Sequence, residues 1–204
     1  MINGKLITLV PTTLEDRQNV YDWCFQSETT KSHSGPPDYP ENPIPTYEEF
    51  CTDDNGGYTE YYFTGEKPGD GRGFIIEFGG KAVGFISYCA FHLKPFISEL
   101  DLWMNSEANC GRGFGTDALI VLGDYLHDAM GIRELIIAPS RKNTRAVRSY
   151  QKAGFVPTDK HMSEFLREKY VSLFGGGDYG EAGTLIMVRR FEAAGGSAGD
   201  DLPE

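Results

Sequence analysis

Alternating hydrophobic and polar residues predict strands through the first half of the chain. The first strand covers Leu6–Val10 and ends at Pro11, and a helix over about Leu14–Phe25 follows it. Three more strands are predicted further along, with a hairpin turn between the first two at two consecutive glycines. They cover Phe74–Phe78, Ala82–Phe91 and Ile97–Asn105. We therefore expect an antiparallel run in the middle of the chain.

Helical periodicity alternates with short apolar strands in the second half. Apolar residues three and four positions apart predict a helix from about Thr116 to Met130, ended by Gly131. A second helix, Thr144–Ala153, is expected to be capped by Asn143. Strands are predicted around it, at Arg133–Ala138, from Phe155 onward and at Thr184–Phe191. Strands separated by helices after an antiparallel run predict a mixed α/β sheet.

The remaining segments are dominated by proline, glycine or polar residues. Ser32–Pro45 contains five prolines and is predicted to be a loop, with a short helix at Tyr47–Asp53 after it. Ser163–Phe174 has an amphipathic pattern typical of a helical insertion, and a glycine run follows it. Residues 193–204 have almost no apolar side chains, so they are predicted to form a disordered tail. The 204-residue chain is long enough for one full core.

The charge of the chain narrows the choice of partners. Acidic residues outnumber basic ones by 30 to 19, which gives a net charge of −11. This sign disfavours a nucleic-acid partner, and it either attracts cationic ligands such as polyamines or only aids solubility. No apolar run reaches the ~18 residues of a membrane-spanning helix, and no signal peptide is apparent at Met1. We therefore expect a cytoplasmic protein without a membrane partner.

The four cysteines do not indicate a metal site. None forms a C-x-x-C pair, and we expect no histidine at a metal-ligand spacing from any of them. Scattered cysteines in a chain of this size are typical of reduced thiols in the cytosol.

A glycine-rich segment, Cys110–Thr116, lies between a predicted strand and a predicted helix. Glycines adopt backbone conformations closed to other residues and let a ligand approach the chain closely. The N–H groups at the start of the following helix would then face an anion, to which Arg112 adds a positive charge. The segment predicts a phosphate site, although a tight turn without a ligand is the alternative.

Two common phosphate loops are excluded at this segment. A P-loop would end in Gly-Lys-Ser/Thr, and the chain has no such tripeptide. A dinucleotide fingerprint would require a third glycine where the chain has Thr116 or Ala118.

Two blocks of sequence resemble a known family. Gly111–Ala118 resembles the pyrophosphate loop of the GNAT acetyltransferases, Gln/Arg-x-x-Gly-x-Gly/Ala, and Asn143–Phe155 resembles their Asn…Ala…Tyr…Gly-Phe motif. The blocks have the family's order and separation. The close match covers about Ile97–Val156, and looser similarity extends from Leu6 to Phe191. The resemblance implies a GNAT fold, a mixed central sheet of about six to seven strands flanked by helices, in a single domain over residues 1–192.

The resemblance also implies a cofactor, acetyl-CoA, and no metal. In the family the strand before the loop binds the cofactor through its backbone, so the N–H of Met104 would polarise the acetyl carbonyl. Asn143 would contact the pantetheine or thioester region, cap its helix, or do both. The implied cofactor-binding residues are Trp103, Met104, Asn105, Cys110, Gly111, Arg112, Gly113, Phe114, Gly115, Thr116, Asn143 and Ala146.

One position departs from the family pattern. Cys110 stands where the family usually has Gln or Arg, so a side-chain contact to phosphate is missing unless Arg112 replaces it. Near a helix N-terminus the thiol could have a lowered pKa, but we favour a small packing residue.

Amine acetylation requires a neutral amine, a polarised thioester and a proton donor for the leaving thiolate. By resemblance, Tyr150 is the general acid, although it also suits a core position. Asp101 and Glu99 share a strand face with Trp103 because strand side chains alternate. Asp101 aligns with an acidic residue of the aminoglycoside 6′-N-acetyltransferases and is the preferred base, with Glu99 or water as the alternatives.

Three functions remain open from the sequence. The first is acetylation of a primary amine on a small cationic acceptor, such as an aminoglycoside, which would confer antibiotic resistance. The second is acetylation of a protein N-terminus, as in the ribosomal-protein N-acetyltransferases. The third is a non-catalytic acyl-CoA-binding module, against which Tyr150 and Asp101 argue. Tyr58–Phe63 and the loop near Tyr39–Tyr47 are predicted to line an acceptor cleft. An exposed edge strand leaves both a monomer and a homodimer open.

Overall fold

A computed structural model of the chain describes residues 1–30, 44–52 and 58–192. The predicted tail, most of the predicted proline-rich loop and the acceptor-cleft residue Tyr39 lie outside these residues. No helix in the described ranges is long and apolar enough to cross a membrane.

The described residues form one mixed sheet in the order β1-β2-β3-β4-β5-β6-β8-β7. Neighbouring strands are antiparallel except β5 and β6, which are parallel. The strands are β1 Ile2–Asn3, β2 Thr8–Pro11, β3 Gly71–Phe78, β4 Lys81–Cys89, β5 Ile97–Met104, β6 Glu134–Ile137, β7 Val156–Pro157 and β8 Met187–Arg190. The predicted mixed sheet is confirmed. The described residues form eight strands, one more than the upper end of the predicted six to seven. The missed strand, β1, has two residues, which is too few for an alternating pattern.

Helices flank this sheet. A continuous helical segment begins with a 3₁₀ turn at Leu14–Asp16, continues as α1 (Arg17–Tyr21) and ends in a π turn at Asp22–Gln26, close to the predicted Leu14–Phe25. The other helices are α2 Tyr47–Phe50, α3 Glu60–Thr64, α4 Phe114–Met130, α5 Thr144–Lys152, α6 Val171–Phe174 and α7 Gly180–Gly183. The predicted insertion helix at Ser163–Phe174 is wrong in part, because 3₁₀ turns and a β-bridge between Leu166 and Leu93 divide it.

The longest helix, α4, packs its apolar face on the sheet. Ala118, Leu119, Leu122 and Leu126 are fully buried in the largest core cluster, as their spacing predicts. The helix begins at Phe114, two residues earlier than predicted, so the glycine segment leads directly into its first turn.

A single carboxylate fixes the start of α4 to the β1–β2 connection. Asp117 accepts hydrogen bonds from the backbone N–H groups of Lys5, Leu6 and Ile7, at 3.1, 2.7 and 3.1 Å. Asp117 is buried, and Gly4 lies so close that a side chain there would collide with its carboxylate. The first turn of α4 is thereby held at a fixed position above the sheet.

The sheet opens at one end between β5 and β6. Their parallel pairing stops at Glu99 and Ile136, while β5 continues to Met104. The next helix along the chain after β5 is α4 and the next after β6 is α5, and an ion pair between Glu107 and Arg145 links the two connections. The opening is the natural place for a ligand that needs strand backbone and helix N-termini together.

Candidate active site

The glycine segment forms an open cradle at the N-terminus of α4. Gly111 and Gly113 have φ angles of +72° and +88°, a region that favours glycine. The space where a side chain of Gly111 would lie is empty to 4 Å. The first N–H groups of an α-helix have no acceptor within the helix, so those of α4 point towards this space. The cradle therefore fits a phosphate group.

Two side chains of the cradle differ in what they offer an anion. The Arg112 guanidinium lies 4.7 Å from the ring centre of Phe114 and 5.4 Å from that of Phe78, and the residue is exposed. Cys110 is half-buried, and its Sγ lies 3.6 Å from the carbonyl oxygen of Ser106. Burial is the main cause that raises the pKa of its thiol, which argues against the less favoured alternative of a lowered pKa. Its packing against the main core supports the packing role.

At the end of β5, successive backbone N–H groups point alternately towards β4 and towards the opening. The Asn105 N–H donates to the Val83 carbonyl at 3.0 Å, so it is directed at β4. Because successive strand residues direct their hydrogen-bonding groups to opposite edges, the Met104 N–H is directed at the opening. The Met104 carbonyl accepts a hydrogen bond from the Thr29 hydroxyl at 2.8 Å. Of the three predicted residues Trp103, Met104 and Asn105, only Met104 has a backbone N–H aimed at this space.

The opposite wall of the opening is the first turn of α5. The Asn143 side chain accepts a hydrogen bond from the Ala146 N–H at 3.0 Å, which confirms the predicted cap. Asn143 is 8% exposed, and Ala146 packs on the main core. The hydroxyls of Thr116 and Ser149 lie 2.8 Å apart and join α4 to α5. The start of α4 and the capped first turn of α5 thus lie on helices that contact each other, and the roles of the predicted cofactor-binding residues stay a prediction.

Tyr150 is buried on α5, with 6% of its surface exposed. Burial raises the pKa of its phenol, and the negative charge of Asp101 raises it further. A phenol is protonated at neutral pH with or without this shift, so the proton that a general acid needs is present, although the raised pKa makes the phenol a weaker donor.

Asp101 lies on β5 opposite Ser87 of β4. The Tyr58 hydroxyl donates to its Oδ2 at 3.3 Å and lies 3.0 Å from the Ser87 hydroxyl. Burial, followed by the charges of Glu99 and Asp178, holds the pKa of Asp101 well above its usual range, against the lowering effect of Tyr58. Such a carboxylate is a stronger base than an exposed one.

Glu99 is engaged by a histidine to which the sequence analysis gave no role. Nε2 of His92 lies 3.1 Å from Oε2 of Glu99, and Nδ1 lies 3.6 Å from Sγ of Cys89. His92 is 5% exposed. Donor atoms of the three residues all lie within 4.8 Å, so the expectation that no histidine lies at a ligand spacing from a cysteine is wrong. The imidazole uses opposite ring nitrogens for its two neighbours, which explains the cluster without an ion.

Asp178 is an acidic residue that the sequence analysis missed. It is exposed in the glycine-rich loop between α6 and α7, yet the surrounding protein and the charge of Glu99 raise its pKa to about 6, with His92 opposing them. An acid within a glycine run was the only available signal, because proximity to Glu99 depends on the tertiary fold.

The predicted acceptor segment Tyr58–Phe63 is divided by the structure. Tyr58 contacts Asp101 and packs edge-on to Trp103, with ring centres 6.3 Å apart. Tyr62 and Phe63 are buried in a second core cluster.

Comparison with known families identifies the family to which the chain belongs. A model of the acetyltransferase (GNAT) domain matches residues 7–156. The chain belongs to the GNAT acetyltransferase family. Its membership confirms the expected fold, the class of acetyl-CoA-dependent N-acetyltransferases and the cofactor. None of the curated proteins compared with the chain matches it significantly in sequence.

Several solved structures share the fold of this GNAT chain. The aminoglycoside acetyltransferase AAC(6')-Ib in complex with paromomycin and acetyl-CoA is 18% identical, with a TM-score of 0.63 over 91% of this chain and 94% of that one. Spermidine N-acetyltransferase from Vibrio cholerae in complex with CoA and spermine is 17% identical, with a TM-score of 0.62 over 92% and 96%. At these identities the likeness shows the fold.

The cofactor of the GNAT family fits the opening on the structure's own evidence. The cradle is open beside Gly111, where phosphates need close backbone approach, and Gly113 lies against the Leu6 side chain. The Met104 N–H is directed into the same space, as pantetheine binding through strand backbone requires.

Proposed function

We propose that this GNAT enzyme transfers the acetyl group directly to a primary amine of a small polycationic acceptor, of the aminoglycoside or polyamine class. The observation that carries the proposal is the group of three carboxylates Glu99, Asp101 and Asp178: the charge of Glu99 raises the pKa of both Asp101 and Asp178, and the charge of Asp101 acts on Tyr150. An aminoglycoside acceptor would make the enzyme an antibiotic-resistance protein.

Mutual repulsion among these carboxylates favours a ligand with several positive charges. Glu99 raises the pKa of both Asp101 and Asp178, so each negative charge disfavours the others. A bound cation relieves this repulsion, and a polycation relieves it at more than one carboxylate. The net charge of −11 attracts the same ligands over longer distances. A peptide N-terminus with one positive charge would satisfy fewer of these groups.

The proposed roles follow from the positions of the side chains. Bound acetyl-CoA supplies the activated acetyl group as a thioester. Asp101 takes the proton from the acceptor ammonium, so that the free amine forms the new N–C bond as the S–C bond breaks. Tyr150 would donate its phenolic proton to the departing sulfur and would be reprotonated by the second proton that the acylated nitrogen releases as the amide forms. The Met104 N–H stabilises the charge that develops on the carbonyl oxygen. Glu99 is the weaker candidate for the base, because His92 already holds its carboxylate.

The structural relatives add support of a different kind. The AAC(6')-Ib structure contains paromomycin and the V. cholerae structure contains spermine, and both ligands carry several amines.

The acceptor class can be tested by measuring CoA release with spermidine, kanamycin, butylamine and a peptide with a free N-terminus. We expect turnover with spermidine or kanamycin at a kcat/KM at least about tenfold above that of the monoamine, a ratio that falls with added salt because the attraction is electrostatic. Butylamine is the matched control, since it carries the same reactive group without further charges. Turnover with the peptide alone would support the protein N-terminal acetyltransferase, and equal rates with butylamine would remove the argument from charge.

A further inference from the structure

An ion pair spans the cofactor opening. Nη1 of Arg145 lies 2.6 Å from Oε2 of Glu107, and Nη2 lies 3.1 Å from Oε1, so the contact is bidentate. Glu107 is in the 3₁₀ turn Glu107–Asn109 between β5 and the glycine cradle, whereas Arg145 is in the first turn of α5. The pair therefore joins the turn after β5 to the first turn of α5. It lies on the side of the sheet where β5 and β6 are no longer paired.

Arg145 lies close to the irregular position of the cradle. Its positive charge acts on the Cys110 thiol and opposes the rise in that thiol's pKa. Cys110 and Ala146, the neighbour of Arg145, pack against the same core cluster. The Cys110 side chain has neither the positive charge nor the amide with which Arg or Gln would contact a phosphate. The Arg112 guanidinium is stacked on the rings of Phe78 and Phe114. The Arg145 guanidinium thus lies near Cys110, the position where the family usually has a longer polar side chain.

We propose that Arg145 provides the side-chain contact to the CoA pyrophosphate that Cys110 cannot make, and that Glu107 holds Arg145 in place until the cofactor binds. The planar guanidinium donates in the same fork to a carboxylate and to a phosphate, so one partner replaces the other without a change of geometry. The side chains of Arg145 and Glu107 are 43% and 39% exposed. Solvent reaches both side chains of this pair, so a phosphate can compete with the Glu107 carboxylate for the guanidinium.

The proposal assigns opposite effects to the two partners. Removing Arg145 removes a phosphate contact, whereas removing the charge of Glu107 removes a competitor for that contact. A purely structural ion pair would instead make both substitutions harmful to the same degree.

Calorimetric titration of the full chain with acetyl-CoA, without an acceptor, tests this assignment. We expect Arg145→Gln to raise Kd at least tenfold, Arg145→Lys to raise it less, and Glu107→Gln to lower it two- to tenfold. Lys152→Gln is the matched control, because it removes an exposed positive charge at the other end of α5 and should leave Kd unchanged. Titration with pantetheine, which lacks the pyrophosphate, should give the same Kd for Arg145→Gln and the unsubstituted chain.

Three outcomes would overturn the assignment: an unchanged Kd for Arg145→Gln, an equal loss of pantetheine and acetyl-CoA binding, or weaker acetyl-CoA binding by Glu107→Gln. Glu107→Gln keeps the proposal testable if Arg145→Gln fails to fold. None of these readouts needs an acceptor, so they remain independent of the proposed acceptor class.

Discussion

Asp101 and Glu99 lie two residues apart on one face of β5, and their surroundings give them different roles. Glu99 is paired with the buried imidazole of His92 at 3.1 Å. Asp101 receives a 3.3 Å hydrogen bond from Tyr58, while burial and neighbouring carboxylates raise its pKa. A carboxylate with a raised pKa and, within the part of the chain that the structure describes, no cationic partner is the better proton acceptor for an incoming ammonium. The same residue type therefore serves two purposes because of what lies next to it.

The proposed acid role of Tyr150 predicts a loss confined to turnover. Tyr150→Phe should lower kcat at least about tenfold, within the range that general acids contribute, because the departing thiolate loses its proton donor. Calorimetry should show an unchanged Kd for acetyl-CoA, since the phenyl ring preserves the packing. Tyr125→Phe, on the exposed side of α4, is the control and should retain full activity. Unchanged turnover in Tyr150→Phe would mean that Tyr150 is a core residue without a catalytic role.

At the scale of elements, α4 has a left-handed glycine at each end. Gly113 precedes its first turn with φ +88°, and Gly131 follows its last with φ +69°. The two glycines solve the same backbone problem, but only Gly113 lies in the proposed phosphate cradle. Substitutions at the two ends thus separate the cost of backbone strain from the cost to ligand binding.

Gly113→Ala and Gly131→Ala should each destabilise the fold by about 1–2 kcal/mol, because an L-residue is strained in the left-handed region. Only Gly113→Ala should weaken acetyl-CoA binding, by tenfold or more, since strain there displaces the N–H groups at the start of α4. Thermal unfolding gives the first quantity and calorimetry the second. Comparable Kd values for the two variants would mean that the phosphates lie elsewhere.

Across the whole molecule, the sequence predicts what depends on neighbours along the chain. The period of α4, the cap at Asn143 and the glycine cradle are local patterns, and all three stand in the structure. The contact of His92 with Glu99 and the approach of Asp178 to both require β4, β5 and the loop after α6 to meet. Contacts between residues on different elements cannot be predicted from the periodicity of any one segment. The local structure on the proposed cofactor side was therefore predictable, whereas the contacts on the proposed acceptor side were not.

The acidic cluster joins these distant parts into one electrostatic unit with a pH dependence. Below the pKa of about 6, Asp178 becomes protonated and loses its charge, so attraction for a polycation falls as the pH falls. The pKa in the unfolded chain would be near 4, so the fold disfavours the charged form at neutral pH. The contribution of Asp178 to folding stability is thus unfavourable above about pH 6, and it is relieved as the pH falls through the folded pKa towards the unfolded value near 4.

We expect kcat/KM for spermidine to fall between pH 7.5 and 5.5, and part of that fall to disappear in Asp178→Asn. At pH 7.5 the variant should have a several-fold lower kcat/KM, because one carboxylate of the cluster is lost, while its melting temperature stays equal or rises. Asp128→Asn, which removes an exposed charge from the last turn of α4, should change neither quantity. If Asp178→Asn and the unsubstituted chain had the same pH profile and the same kcat/KM, Asp178 would have no part in holding the acceptor. A lower melting temperature for Asp178→Asn would instead contradict the sign of its pKa shift, since a charge that the fold disfavours cannot be stabilising it.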